Sequence, residues 1–192
     1  MAKSTWQAPL AYAVLAATAC SIAIASFVAM PGTSGLFGGA LGLLMLAIAA
    51  ADARFFIIPD KLTIAAFGLG LTNAANEGLA SIPESVAVAA LRGLVLALAF
   101  FALREIYSRL RHRHGIGLGD VKLAAVAGAW LDWPLIPVAI EIAAVIALMA
   151  YIANQLILRR PICAAAKLPF GLFFAPAIWV CWLLNAIFFE FF

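Results

Sequence analysis

The chain has 192 residues, 67% of them hydrophobic and 11% charged, with a net charge of +3 at pH 7. Its mean hydropathy of +1.11 leaves too little polar surface for a soluble domain of this size. The apolar runs are long and continuous rather than alternating, which argues against a β-barrel and for an all-α polytopic membrane bundle. Nearly all of the chain is needed for spans, so no soluble catalytic domain is expected. The three cysteines, Cys20, Cys163 and Cys181, are scattered and make neither a disulfide framework nor a zinc site.

Taken in order, Lys3 precedes an apolar run from about Pro9 to Met30 that is too long for the core of a typical signal peptide and reads as an uncleaved first helix. Pro31 to Gly35 is a turn. Leu36 to Ala51 is apolar, and that helix is expected to continue to Ile58 before Pro59 stops it. Leu62–Ala75 predicts a short third span and Ser85–Leu103 a fourth. A basic loop with Arg104, Arg109, Arg111 and Arg113 follows, then a stretch of alternating glycines, Gly115, Gly117 and Gly119. A fifth span covers Gly119–Leu131, a sixth runs from Pro134 to Leu158, and a seventh from Pro169 to Phe189. Trp130 and Trp133 fit an interfacial aromatic belt. The expected fold is a bundle of about seven transmembrane helices, with residues 1–35 an added helix and turn and residues 36–192 a six-helix core.

Charge orients the bundle. Lys3, Arg54, Lys61, Arg104, Arg109, Arg111, Arg113, Lys122, Arg159, Arg160 and Lys167 all fall in or beside alternate loops, and of the 12 Lys and Arg only Arg92 lies inside a span. Cytoplasmic loops carry the excess of Lys and Arg, so the N-terminus is expected to be cytoplasmic. The net positive charge then reflects topology and anionic lipid, with no nucleic acid implied. Arg92 and Glu141, each about two turns from the outer end of its span, are expected to form a buried pair.

The same orientation sets Asp52 and Asp120 at one face. Asp120 follows the glycines at the mouth of an apolar helix, where a plain helix-capping role is the competing explanation. Asp52 lies one or two turns before the break at Pro59. An ionisable group in a membrane helix is costly and marks a functional site by default. Two carboxylates about 3 Å apart share one proton. One can then act as general base on water while the other protonates a substrate carbonyl. Such chemistry needs no metal, no cofactor and no covalent intermediate. His112 and His114 read as solvated loop residues, and no Ser-His-Asp, Cys-His or helical His-x-x-x-His pattern stands out.

Asp52-x6-Pro59-Asp60, followed by Gly117-Leu-Gly119-Asp120-Val-Lys122, resembles the signature of the type 4 prepilin peptidases, GxGD aspartic proteases of the bacterial inner membrane. The resemblance covers the chain from about Ala40 onward. Lys167-Leu-Pro169-Phe170-Gly171 is similar to that family's approach to its last helix. The resemblance implies cleavage of prepilin or pseudopilin leaders at the cytoplasmic face, with Asp52 and Asp120 as the catalytic pair. Gly117 and Gly119, which lack Cβ atoms, are expected to admit the substrate backbone, and with Lys122, Pro169, Phe170 and Gly171 they make up the expected substrate site, with no cofactor or metal; Lys122 also fits an interfacial anchor. Asp60 stands where the family often has Asn and is not counted as catalytic. Larger members carry paired-cysteine zinc motifs and also N-methylate the product. The unpaired cysteines here make the chain similar to the short peptidase-only class of Flp (Tad) pili.

Two other readings are an archaeal-type preflagellin peptidase, which shares both motifs, and a proton-coupled transporter relaying through Asp52, Asp120 and Glu141. A presenilin-like protease is disfavoured because Ala51, not Tyr, precedes Asp52. Expected partners are the pilin-like substrate and the lipid bilayer, with homo-oligomerisation left open. If the glycines admit an extended substrate backbone beside Asp120, alanine at Gly119 should impair function more than stability.

Overall fold

A computed structural model describes residues 7–111, 115–159 and 168–188. The expectations placed on Lys3, His112, His114, Arg113, Arg160, Cys163 and Lys167 lie outside the described residues. Among the described residues there are seven α-helices and no strand: α1 (Gln7–Ala29), α2 (Thr33–Phe55), α3 (Asp60–Glu77), α4 (Ile82–Arg111), α5 (Leu118–Trp130), α6 (Leu135–Leu158) and α7 (Phe170–Phe188). Proline sets several starts. Pro59, Pro134 and Pro169 immediately precede α3, α6 and α7, and Pro83 lies in the first turn of α4. A fixed φ and a missing N–H cost nothing at those positions.

Four helices, α2, α4, α6 and α7, are long and apolar enough to cross a membrane. With 13 residues, α5 spans only about 20 Å at ~1.5 Å per residue, less than the ~30 Å hydrocarbon core. It is nevertheless among the most buried elements: Leu123, Ala124, Val126 and Ala127 have no exposed surface. A short helix wrapped by others does not have to span, because its ends can be satisfied by protein instead of water.

The core is built on small residues. A Cβ on Gly128 would lie 2.6 Å from the Arg92 carbonyl oxygen and 2.7 Å from Gly93 Cα, so α4 and α5 meet backbone to backbone. Gly38 receives the Trp182 ring of α7, and Gly42 leaves room for Trp179 of α7 and Ile22 of α1. In lipid, where no hydrophobic drive separates helix from solvent, such close approach is what holds helices together. Phe174 of α7 stacks on Phe100 of α4 with ring centroids 5.9 Å apart. On the outside, α1 is pinned by the Trp179 indole N–H donating to Ser26 Oγ at 3.1 Å.

Four expectations are corrected. The chain leaves the helix after Phe55, three residues before Ile58. Phe56 takes the left-handed conformation (φ 53°, ψ 34°), and its N–H donates to the Asp52 carbonyl. The basic loop is largely helix: α4 continues through Arg104 and Arg109 to Arg111. Trp130 is buried, its indole N–H donating to the Ala66 carbonyl of α3 at 2.8 Å, while Trp133 is exposed as a belt residue would be. Finally, Arg92 does not pair with Glu141. It forms an ion pair with Asp132 and donates from Nε to the Gly128 carbonyl at 3.2 Å. Asp132 lies just past the end of α5, which meets α4 backbone to backbone at Gly128.

Glycines in this bundle therefore differ in consequence. Gly68 on α3 has open space where a Cβ would go. Gly68→Ala should be neutral or stabilise by about 0.4–1 kcal/mol through the unfolded state. Gly128→Ala should destabilise by about 1–3 kcal/mol, because a backbone contact cannot step aside. Thermal unfolding of the two variants in detergent checks this, and equal effects would contradict the α4/α5 packing.

Candidate active site

Asp52 lies in the last turn of α2. The left-handed cap at Phe56 then turns the chain so that Ile58 is buried, although Phe55, Phe56 and Ile57 around the break are exposed. The Asp52 side chain is buried as well, and its partner comes from 120 residues later. The backbone N–H of Leu172 donates to Asp52 Oδ2 at 3.0 Å. Leu172 belongs to the first turn of α7, which carries a partial positive charge, and its N–H is shared with the Pro169 carbonyl at 3.2 Å. The carboxylate of Asp52 thus caps a helix other than its own.

This contact accounts for Pro169-Phe170-Gly171. Proline starts the helix, and glycine at the next-but-one position removes a side chain that would block the aspartate. A Cβ at Gly171 would stand 2.9 Å from Asp52 Oδ2 and 2.7 Å from Ile58 Cδ1. Phe170 turns the other way and packs on Phe174, ring centroids 5.4 Å apart.

Asp120 is in the first turn of α5. Its Oδ2 accepts the Gly117 N–H at 3.1 Å, the backward half of a capping box. It therefore sits inside the helix at the third position, not at the N-cap. Gly117 itself is exposed and extended (φ −74°, ψ 152°). The glycine stretch is fastened to α4 at two points. Arg104 donates from Nε to the Ile116 carbonyl at 3.2 Å, and Gly115 lies against the Tyr107 ring so closely that a Cβ would fall 2.4 Å from it.

The two halves meet at Ile58. Its side chain fills the space left by the missing Cβ of Gly119, 2.9 Å from that position, and also reaches Gly171 beside Asp52. Asp52 and Asp120 both border this side chain: Gly171, against Asp52 Oδ2, and Gly119, the residue before Asp120, each face Ile58 Cδ1. Helices from three parts of the sequence, α2, α5 and α7, thus converge on one isoleucine with a carboxylate on either side. A fourth, α3, joins through its first residue: Asp60 forms an ion pair with Lys122 on α5. Lys122 is engaged there, which ties the starts of α3 and α5 together. Among the described residues no three His, Cys, Asp or Glu side chains converge as a metal set.

Of the positions singled out in the sequence, Asp52, Asp120, Gly117, Gly119 and Gly171 therefore gather at one end of the bundle, with Lys122 beside them. Sequence reasoning missed Ile58, Arg104 and Tyr107. An isoleucine among so many apolar residues carries no signal, and Arg104 reads as one more topology-setting cation.

The wedge has a measurable signature. Gly119→Ala should destabilise by about 1–3 kcal/mol through overpacking against Ile58. Ile58→Ala removes the Cδ1 and Cγ1 contacts at 3.0 and 3.1 Å but keeps Cβ at 2.9 Å, so in that background part of the penalty should vanish, a coupling within the ~0.5–3 kcal/mol range of contacting residues. Additive effects in thermal or denaturant unfolding would show that the two do not touch.

The sequence profile of the type IV leader peptidase family matches residues 39–152, a stretch that contains both aspartates and stops before α7. Among curated proteins, the chain is 34% identical to a prepilin leader peptidase/N-methyltransferase of Escherichia coli (strain K12), over 82% of this chain and 66% of that protein. It is 30% identical to one from Aeromonas hydrophila over 83% of this chain and 53% of the relative. For one from Burkholderia pseudomallei (strain 1026b) the identity is 33%, over 79% of this chain and 48% of the relative. The chain thus spans roughly half to two thirds of the relatives it matches. No solved structure matches it. With more than half of its length inside the family profile, the chain belongs to the type IV leader peptidase family.

Proposed function

We propose that this chain is an aspartic endopeptidase that removes the short basic leader of prepilin or pseudopilin proteins. It would act at the cytoplasmic face of the bacterial inner membrane with Asp52 and Asp120 as its catalytic pair. The observation that carries the reading is the pair itself: two carboxylates from α2 and α5 on either side of Ile58, each held through one oxygen by a backbone N–H. Two such groups favour a singly protonated state, in which the charged member takes a proton from water and the neutral member protonates the scissile carbonyl. The backbone N–H groups fix the two carboxylates without supplying a competing charge. The names of the relatives support the leader-peptide substrate. In this reading α1, which precedes the family match, is an addition packed on α2 and α7.

The substrate positions divide by environment. Gly117 is exposed next to Asp120, and we assign it to the extended substrate backbone, whose N–H and C=O groups need partners near lipid. Gly119 and Gly171, occupied by Ile58, act by positioning. Lys122, Pro169 and Phe170 border the site and would contact the substrate only at its edges. The transporter reading has less support, because Glu141 lies on α6 toward the opposite end of the bundle from both aspartates and does not extend them into a path.

Asp52→Asn and Asp120→Asn should each lower cleavage of a co-expressed prepilin by about 10³-fold or more, while the protein still accumulates in the membrane. Members of a cooperating pair are lost nearly as a unit. A gel-mobility assay reads this directly, and full processing by either variant would remove the pair. For the orientation, a periplasm-active reporter fused after Asn76 should be active and one fused after Arg111 silent, following the distribution of Lys and Arg. The reverse pattern would place the aspartates on the side away from the leader.

A further inference from the structure

The described surface carries one acidic residue that the aspartate site leaves unused and that lies well inside an apolar helix. Glu141 is the seventh residue of α6, about 9 Å along the axis from Leu135 at ~1.5 Å per residue, with apolar neighbours for three turns beyond it. It is exposed and has neither a hydrogen bond nor an ion pair among the described residues. It stands between two shallow apolar depressions. One, of about 480 Å³, lies between α4 and α6 and is lined by Leu96, Trp133, Ile136, Ile140 and Ala144. The other, of about 300 Å³, lies on α6 alone, along Val138, Ile142 and Val145. Charged groups at membrane depth normally face the bundle interior or pair with one another, and the one described cation away from the aspartate end does not serve here. Arg92 is already held by Asp132 and the Gly128 carbonyl.

We infer that the groove between α4 and α6 receives a single transmembrane helix of a partner protein, carrying a Lys or Arg at the depth of Glu141. Charge selects this occupant. Among the described residues every Lys or Arg other than Arg92 sits at the end of the bundle that holds the aspartates, so a second copy of this chain brings no free cation to this depth. A two-fold arrangement on this face would set Glu141 against Glu141. An apolar helix alone would fill the groove and leave the carboxylate facing hydrocarbon. A cation on that helix satisfies it, and the partner in turn buries its own charge.

The inference is independent of peptidase activity and is tested by binding. The full chain, labelled with a fluorescent donor, is reconstituted in phosphatidylcholine bilayers with acceptor-labelled synthetic Leu/Ala helices. These carry one Lys, one Leu or one Glu about two turns from the outer end. The Lys helix should bind at least tenfold more tightly than the Leu helix, and the Glu helix no better than the Leu helix. Glu141→Gln should abolish the tenfold preference at an unchanged unfolding midpoint. Ala144→Trp, which fills the groove and leaves the carboxylate, should weaken the Lys helix as well. Equal binding of the Lys and Leu helices would overturn the proposal, as would a preference that survives Glu141→Gln. So would Glu141-dependent energy transfer between two copies of this chain without any added helix.

Discussion

The carboxylate of Asp52 accepting the Leu172 N–H is the contact on which the rest of the site depends. It joins the end of α2 to the beginning of α7 across most of the sequence. A buried carboxylate must be satisfied, and the first turn of α7 offers it an N–H that is shared with the Pro169 carbonyl. The pairing demands a glycine at position 171, since any side chain there would occupy the position of the oxygen or of Ile58. It also demands that α2 end early, because Ile58 reaches the site only after the left-handed residue at Phe56. Phe56 is an unfavourable residue for that conformation, which costs of order 1–3 kcal/mol and persists where the surroundings over-determine it.

Asp120 is held by a local version of the same device. It uses the start of its own helix, and the glycine stretch in front of it is stitched to α4 by Arg104 and Tyr107. The two aspartates thus enter the site with different freedoms. Asp52 is fixed by tertiary structure and buried, whereas Asp120 is fixed by one turn of helix beside exposed backbone at Gly117. The exposed side is the one we assign to the substrate backbone.

The helical class and most helix boundaries were legible in the sequence because proline and long apolar runs fix them locally. Both aspartates were legible because acids in such runs are conspicuous and two motifs framed them. What escaped was set by contacts between distant segments. Arg92 chose Asp132 because α4 and α5 meet at Gly93 and Gly128, a proximity that no depth count reveals. Trp130 turned inward because Gly70 left room for it, and its indole found the Ala66 carbonyl. Gly119 looked like open backbone and is in fact the seat of Ile58. A glycine in a sequence shows that space is required, not what occupies it.

The central claim is that Asp52 and Asp120 act as one unit on a reacting carbonyl. The most direct measurement is the affinity of a leader-junction peptide whose scissile carbonyl is replaced by a tetrahedral hydroxyl-bearing carbon, a mimic of the transition state. The affinity is compared among the parent chain, Asp52→Asn, Asp120→Asn and the double variant. If the pair binds the mimic together, each single substitution should lose nearly as much affinity as the double. Losses that simply add, or tight binding retained by either single variant, would contradict the account.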